Sequence, residues 1–314
     1  MSGSDSLVPK PHGSGVAFVT GAAGFLGGAV AAALVRAGWR VAGFDIVSGW
    51  AAGCAHWITG EVARDAMARA SAEVGTPDLV FHAAGGSSVG ASVADPDGDF
   101  ARTVGSIRET LAFLETGAPA ARLIYPSSAA VYGEASAGRS SESAPLRPVS
   151  PYGRHKLQAE AVIADAGAEA VILRFFSLYG PGLRKQLLWD LARRLAARPD
   201  TLELAGGGDE LRDFVYVDDA VRLAGLAMGT PASGTPLILN GGRGEAIPVR
   251  RVAETLAREM DVRVRIGFSG ESRPGDPSAL VADPTAARAA GFEPQVPFED
   301  GVRRFARWFQ ALPA

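Results

Sequence analysis

The chain has 314 residues, 47% hydrophobic and 21% charged, which fits one large α/β domain or two intimate lobes. A net charge of −3 and no basic stripe interleaved with aromatics argue against nucleic acid as a partner. Cys54 is the only cysteine, which excludes an intramolecular disulfide and a cysteine-based metal site. The four His residues show no paired ligand spacing, so no metal is expected, and no apolar run approaches the roughly 18 residues of a membrane span.

Met1–Gly15 is polar, carries Gly, Ser and Pro, and lacks the apolar core of a signal peptide. It is expected to be a flexible leader to a soluble, cytoplasmic protein. The run Val16–Thr20 reads as a buried strand, and the apolar periodicity from Phe25 to Val35 reads as a helix. Between them lies GAAGFLG, Gly21–Gly27. A strand, a glycine turn and a helix N-terminus make a phosphate cradle, because the missing Cβ atoms let a pyrophosphate approach the backbone. The exposed N–H groups and the helix dipole favour its negative charge. Arg40–Asp45 is the next strand. Asp45 stands about 20 residues beyond the glycines, where a carboxylate can accept from the adenosine ribose hydroxyls. It would repel a 2′-phosphate, and no Arg follows closely. The cofactor is therefore expected to be NAD, not NADP.

Strand signals continue at His56–Thr59, Leu79–Ala83, Leu123–Ser127 and Val171–Phe175. Helical patterns at Gly27–Ala37, Ala63–Val74, Arg102–Glu115 and Gly153–Asp165 separate most of them. This alternation predicts an α/β fold with a doubly wound parallel sheet of the Rossmann kind. Ser128 follows the fifth strand and would stand above the sheet. Tyr152 and Lys156 form Y-x-x-x-K on a helical pattern, so both side chains share a face. A cation one turn away favours the phenolate and is expected to lower the tyrosine pKa. The phenolate can then take or return a hydroxyl proton, with Ser128 bonded to the same substrate oxygen.

The second half is punctuated by Gly and Pro, with helical patterns at Gln186–Ala197, Asp218–Met228, Val249–Met260 and Glu299–Phe309. The short apolar run Pro236–Asn240 is expected to rejoin the sheet. The predicted organisation is a cofactor domain over 16–176 plus a returning segment near 234–260. A smaller, interwoven substrate-binding lobe spans 177–233 and 261–314.

The pieces TGAAGFLG, Asp45, HAAG at His82–Gly85, SSAAVYG at Ser127–Gly133 and PYGRHK at Pro151–Lys156 run in order along the chain. RFFSLYGPG at Arg174–Gly182, RDFVYVDD at Arg212–Asp219 and RPGD at Arg273–Asp276 continue the series. Together they resemble an extended short-chain dehydrogenase/reductase of the nucleotide-sugar epimerase/dehydratase type. The resemblance implies that Gly21, Gly24, Phe25, Leu26 and Gly27 hold the NAD pyrophosphate and Asp45 its ribose. It places Glu61 near the adenine and lets the cofactor pass close to Ala83, Ala84 and Gly85. Ser128, Tyr152 and Lys156 are the implied catalytic residues, with Tyr152 and Lys156 also at the nicotinamide ribose. Ser177 stands where the family often has a substrate-contacting Asn. Arg212 and Arg273 are implied to clamp the substrate diphosphate, where guanidinium geometry suits paired oxygens, and Asp276 to accept from the nucleotide ribose. His82 is assigned no chemistry.

A dehydratase of this family carries an Asp-Glu pair after its catalytic hydroxyl residue. Here those positions are Ala129 and Ala130, which have no acid–base capability. The expectation is an NAD-dependent nucleotide-sugar 4-epimerase. A 4-keto-6-deoxyhexose 4-ketoreductase using NAD(P)H stands as the alternative, and a non-catalytic dinucleotide-binding sensor as a distant one. Arg184 or Lys185 would meet a uronate carboxylate or simply begin a solvated helix. Helices Arg102–Glu115 and Gly153–Asp165 permit a homodimer of the kind many relatives form.

Overall fold

Predominantly apolar runs become the central strands, because such runs can be covered on both faces. The computed structural model describes residues 7–11, 13–49, 53–133, 138–231, 234–271 and 277–313. The first half holds β1 (Val16–Thr20), α1 (Phe25–Arg36), β2 (Arg40–Asp45), β3 (His56–Thr59), α2 (Arg64–Val74) and β4 (Leu79–His82). Then come α3 (Val89–Ala94), α4 (Pro96–Phe100), α5 (Ser106–Gly117), β5 (Arg122–Ser128), α6 (Pro151–Asp165) and β6 (Ala170–Phe175). The second half holds β7 (Ser177–Tyr179), α7 (Gln186–Ala196), β8 (Thr201–Leu204), β9 (Leu211–Arg212), β10 (Phe214–Tyr216) and α8 (Val217–Gly229). It closes with β11 (Leu237–Gly241), β12 (Ile247–Pro248), α9 (Val249–Glu259), β13 (Arg265–Phe268), β14 (Ala279–Leu280), α10 (Thr285–Ala289) and α11 (Phe298–Gln310).

Seven parallel strands form the main sheet in the order β11-β6-β5-β4-β1-β2-β3. The chain runs outward from β1 in one direction and returns to start again at β4 on its other side. The crevice at that reversal, beyond the carboxyl ends, is where ligands bind in such sheets. One face is covered by α1 and α8, with Val30, Leu34, Val221 and Leu223 packed over Val19, Phe81 and Leu173. The other is covered by α2, α5 and α6, with Met67, Ile107, Leu111 and Ile163 against Phe18, Phe44 and Val80. A separate core of Leu191, Leu195, Val252, Leu256, Phe298 and Phe305 joins α7, α9 and α11.

Two features depart from the sequence reading. The helix expected from Arg102 begins as a π-helical turn at Ala101–Gly105, and α5 proper starts at Ser106. Helices α3 and α4 were not anticipated. They are too short for an apolar period to show, and caps define them instead. The Ser88 hydroxyl accepts the Ala91 N–H, and the Asp95 carboxylate accepts the Gly98 N–H at 2.9 Å with Pro96 in the first turn.

Candidate functional site

One cleft of about 1470 Å³ lies beyond the carboxyl ends of the strands. It is lined by Gly21, Gly24, Phe25, Leu26, Gly27, Asp45, Glu61, Ala83, Ala84 and Gly85 at one end, and by Ser128, Tyr152, Lys156, Ser177 and Arg212 further along. Arg273 and Asp276 lie outside the described residues. Lys185 lines the cleft, whereas Arg184 is exposed to solvent and is not among the lining residues.

The glycine turn is closed by backbone contacts that a side chain would break. Gly21 has a φ of +64°, and a Cβ on it would lie 2.7 Å from the Ala83 carbonyl. A Cβ on Gly27 would lie 2.2 Å from the Gly21 carbonyl oxygen, so α1 seats directly on the turn. No side chain caps α1, which leaves its first N–H groups for an anion. Asp45 is held at the end of β2: its carboxylate accepts the Ala23 N–H at 2.9 Å and the Val47 N–H at 3.1 Å. This glycine cradle, uncapped helix and fixed carboxylate fit a dinucleotide.

Under the cradle, His82 is fully buried. Its Nδ1 faces the Thr20 and Thr110 hydroxyls at 3.1 and 2.9 Å, and its Nε2 faces the Ser106 hydroxyl at 3.1 Å. Burial, helped by the Lys156 charge, pushes its pKa down to about 3. The imidazole is neutral and braces the loop, because the Thr20 hydroxyl also accepts the Ala84 N–H at 3.0 Å.

Helix α6 begins at Ser150, whose hydroxyl accepts the Gly153 N–H at 3.1 Å, with Pro151 in the first turn. That start puts Tyr152 and Lys156 on the face turned to the cleft. The Ser128 hydroxyl closes the turn after β5 by accepting the Ala130 N–H at 3.1 Å. It also hydrogen-bonds the Tyr152 phenol. Lys156 is buried, donates to the Pro126 carbonyl at 3.0 Å, and lies 4.8 Å from the Tyr125 ring centre.

The electrostatics correct one expectation. The Tyr152 phenol is raised, not lowered: burial dominates, the Ser128 hydrogen bond opposes it, and Asp99 adds to it. The Lys156 ammonium donates to the Pro126 carbonyl and stands 6.0 Å from the Tyr152 ring centre. Lys156 itself is pushed down to about 8 by burial, against the pull of Asp99 and Glu160.

The substrate-side residues come from the interwoven half. Ser177 starts β7 and donates its N–H to the Asp213 carbonyl at 2.9 Å. Arg212 ends β9, and its guanidinium donates to the Leu211 carbonyl at 2.9 Å. Lys185 reaches across to the Ser87 carbonyl at 3.4 Å, and partial burial lowers its pKa.

Sequence reasoning missed the support beneath the site. The Ser92 hydroxyl accepts the Tyr152 N–H at 3.0 Å, and the Asp99 carboxylate meets His155 Nδ1 at 2.7 Å. Glu160 and Arg174 form a buried pair at 2.7 Å, and Arg174 also donates to the Tyr132 hydroxyl at 3.1 Å. The Asp95-Pro96 cap signal could have located α4, but nothing in the spacing pairs Asp99 with His155.

The model of the NAD dependent epimerase/dehydratase family matches residues 17–242, and the chain belongs to that family. It is an NAD-dependent sugar-nucleotide enzyme of the extended short-chain dehydrogenase/reductase type. It is 33% identical over 301 residues to a UDP-glucose 4-epimerase of Streptomyces lividans, covering 88% of this chain and 90% of that one. Its structure is similar to that of MoeE5 in complex with UDP-glucuronic acid and NAD, with a TM-score of 0.83, 29% identity, and 95% and 99% of the two chains covered. It is also similar to TunA, an NAD-dependent NDP-hexosamine 5,6-dehydratase, with a TM-score of 0.83, 27% identity, and 95% and 98% covered.

Proposed function

We propose that the protein is a 4-epimerase of UDP-hexoses that keeps NAD bound through a closed redox cycle. The observation that carries this reading is the pair Ala129-Ala130 directly after Ser128. Among the described lining residues the only acids are Asp45, Glu61 and Glu109. None of these follows the catalytic serine, so among the described residues the sugar end offers hydroxyl, phenol and ammonium groups but no carboxylic acid for an elimination. The similarity to UDP-glucose 4-epimerases supports the same reading.

Tyr152, as phenolate, takes the proton of the C4 hydroxyl while Ser128 hydrogen-bonds that oxygen. Bound NAD supplies reversible hydride acceptance at C4. Lys156 holds positive charge beside the phenol and reaches the nicotinamide ribose. Arg212, together with Arg273, grips the diphosphate, so the 4-keto sugar turns about that linkage and presents its other face. Tyr152 then returns the proton. No second base is needed, because the sugar turns and the catalyst stays fixed. In this scheme 16–176 and the returning segment near 234–260 hold NAD. The lobe of 177–233 and 261–314 holds the sugar nucleotide, and α5 and α6 pair with a second copy.

The test is to denature protein purified without added cofactor and quantify the released nucleotide. Near-stoichiometric NAD is the expected result. An empty protein that takes up and consumes NADPH would contradict the reading and indicate a 4-ketoreductase.

A further inference from the structure

Tyr152, His155 and Lys156 lie at i, i+3 and i+4 of α6, so all three share one face. His155 does not point to solvent. Its side chain is 13% exposed, and its Nδ1 meets the carboxylate of Asp99, itself 1% exposed, at 2.7 Å. Phe100, the next residue of α4, packs edge-on against the same imidazole at 5.5 Å. Asp99 also backs onto the loop lining the cleft, since a Cβ on Gly86 would lie 1.9 Å from its carboxylate oxygen. A buried carboxylate therefore sits behind both the Tyr–Lys face and the cofactor loop. Arg102 pairs with Asp95, and Arg108 lies over the Phe100 ring at 6.0 Å.

We propose that Asp99, held in place by His155, is a positioning residue whose negative charge sets the pH range in which the Tyr152–Lys156 pair works. This rests on the proton-relay roles given to those two residues above.

Every charged or titratable group near the pair bears on the argument. Lys156 faces Asp99 from α4, Glu160 from its own helix, and Tyr125 and the Pro126 carbonyl from β5. His82 on β4 feels the Lys156 charge and is neutral. Tyr152 faces Ser128 and Asp99. Tyr125 faces Tyr152, Glu160 and Asp99, and burial raises its phenol well above the ordinary range. Glu160 is committed to Arg174 at 2.7 Å, which leaves Asp99 as the carboxylate of this set without an arginine partner among these contacts. A nearby negative charge disfavours deprotonation of both a phenol and an ammonium. Asp99 therefore moves both groups in one direction, upward. Burial alone would split them, pushing the phenol up and the ammonium down.

The test replaces Asp99 by Asn, which keeps the size and can still bond His155. The holoprotein's phenolate absorbance is titrated against pH, with Tyr152→Phe assigning the signal. The pH profile of epimerisation is then measured on the same variant. The phenol of D99N is expected to titrate about one pH unit lower, and both limbs of the rate profile should move to lower pH together. A role confined to holding α4 against α6 would lower the melting temperature and leave both limbs where they are, which would overturn the proposal. If the D99N phenol shifts but the parent protein itself turns over no UDP-hexose, the 4-epimerase reading fails while the charge coupling of Asp99 to Tyr152 stands, because the titration needs no substrate.

Discussion

His82 ends β4 beneath the cofactor loop, where a charged imidazole has no anionic partner among the described residues and three hydroxyls surround the ring. Its pKa falls from an ordinary 6.5 to about 3. The unfolded chain therefore binds a proton that the fold refuses across that interval. The stability this gives is present above about pH 6.5 and is lost as the pH falls towards about 3. Thermal unfolding followed from neutral to acid pH is expected to show a steep decline that is shallower in His82→Gln. Equal slopes in both proteins would contradict this account. The motif HAAG marked His82 as a strand-end residue. What sequence could not show was its partners, because Thr20 and Thr110 lie 62 and 28 residues away. The same holds for the Tyr152 phenol. The Y-x-x-x-K spacing gives the shared face, whereas the sign of the pKa shift depends on burial, which spacing does not encode.

At the scale of elements, segments with an apolar run or period are readable and those without one are not. Strands β1, β2 and β3 fall where their apolar runs lie. Helices α3 and α4 are set by caps and by tertiary contacts with α6, such as Ser92 to the Tyr152 N–H. The π-helical turn before α5 leaves no mark in the apolar pattern. The tie between β6 and α6 was equally invisible. Arg174 lies in an apolar strand, yet it is 2% exposed and paired with Glu160. Removing one member of such a pair leaves an uncompensated buried charge, costing about 3–5 kcal/mol. Arg174→Leu is thus expected to lower the melting temperature markedly. Arg174→Leu combined with Glu160→Leu should recover part of the loss. A single variant as stable as the parent would show that the pair does not secure α6.

At the scale of the molecule, the reversal of strand order beside β1 opens the crevice, and the chain twice crosses between its two halves to line it. Gly21 and Tyr152 come from the first half, and Ser177 and Arg212 from the second. The crossing at β11, which returns to pair with β6, was legible as an isolated short apolar run. The strands β8, β9, β13 and β14 were not, because two to four residues in Gly- and Pro-rich sequence carry no period. The fold makes one continuous cleft, and the chemistry proposed for it consumes nothing. The most direct measurement incubates the protein, purified without added nucleotide, with UDP-glucose or UDP-galactose in deuterated water. The sugars are then read by nuclear magnetic resonance. The account predicts interconversion of the two without added NAD and with no solvent deuterium on any sugar carbon, since the C4 hydrogen leaves and returns within the site. Dependence on added NADPH, or deuterium at a carbon beside C4, would contradict it.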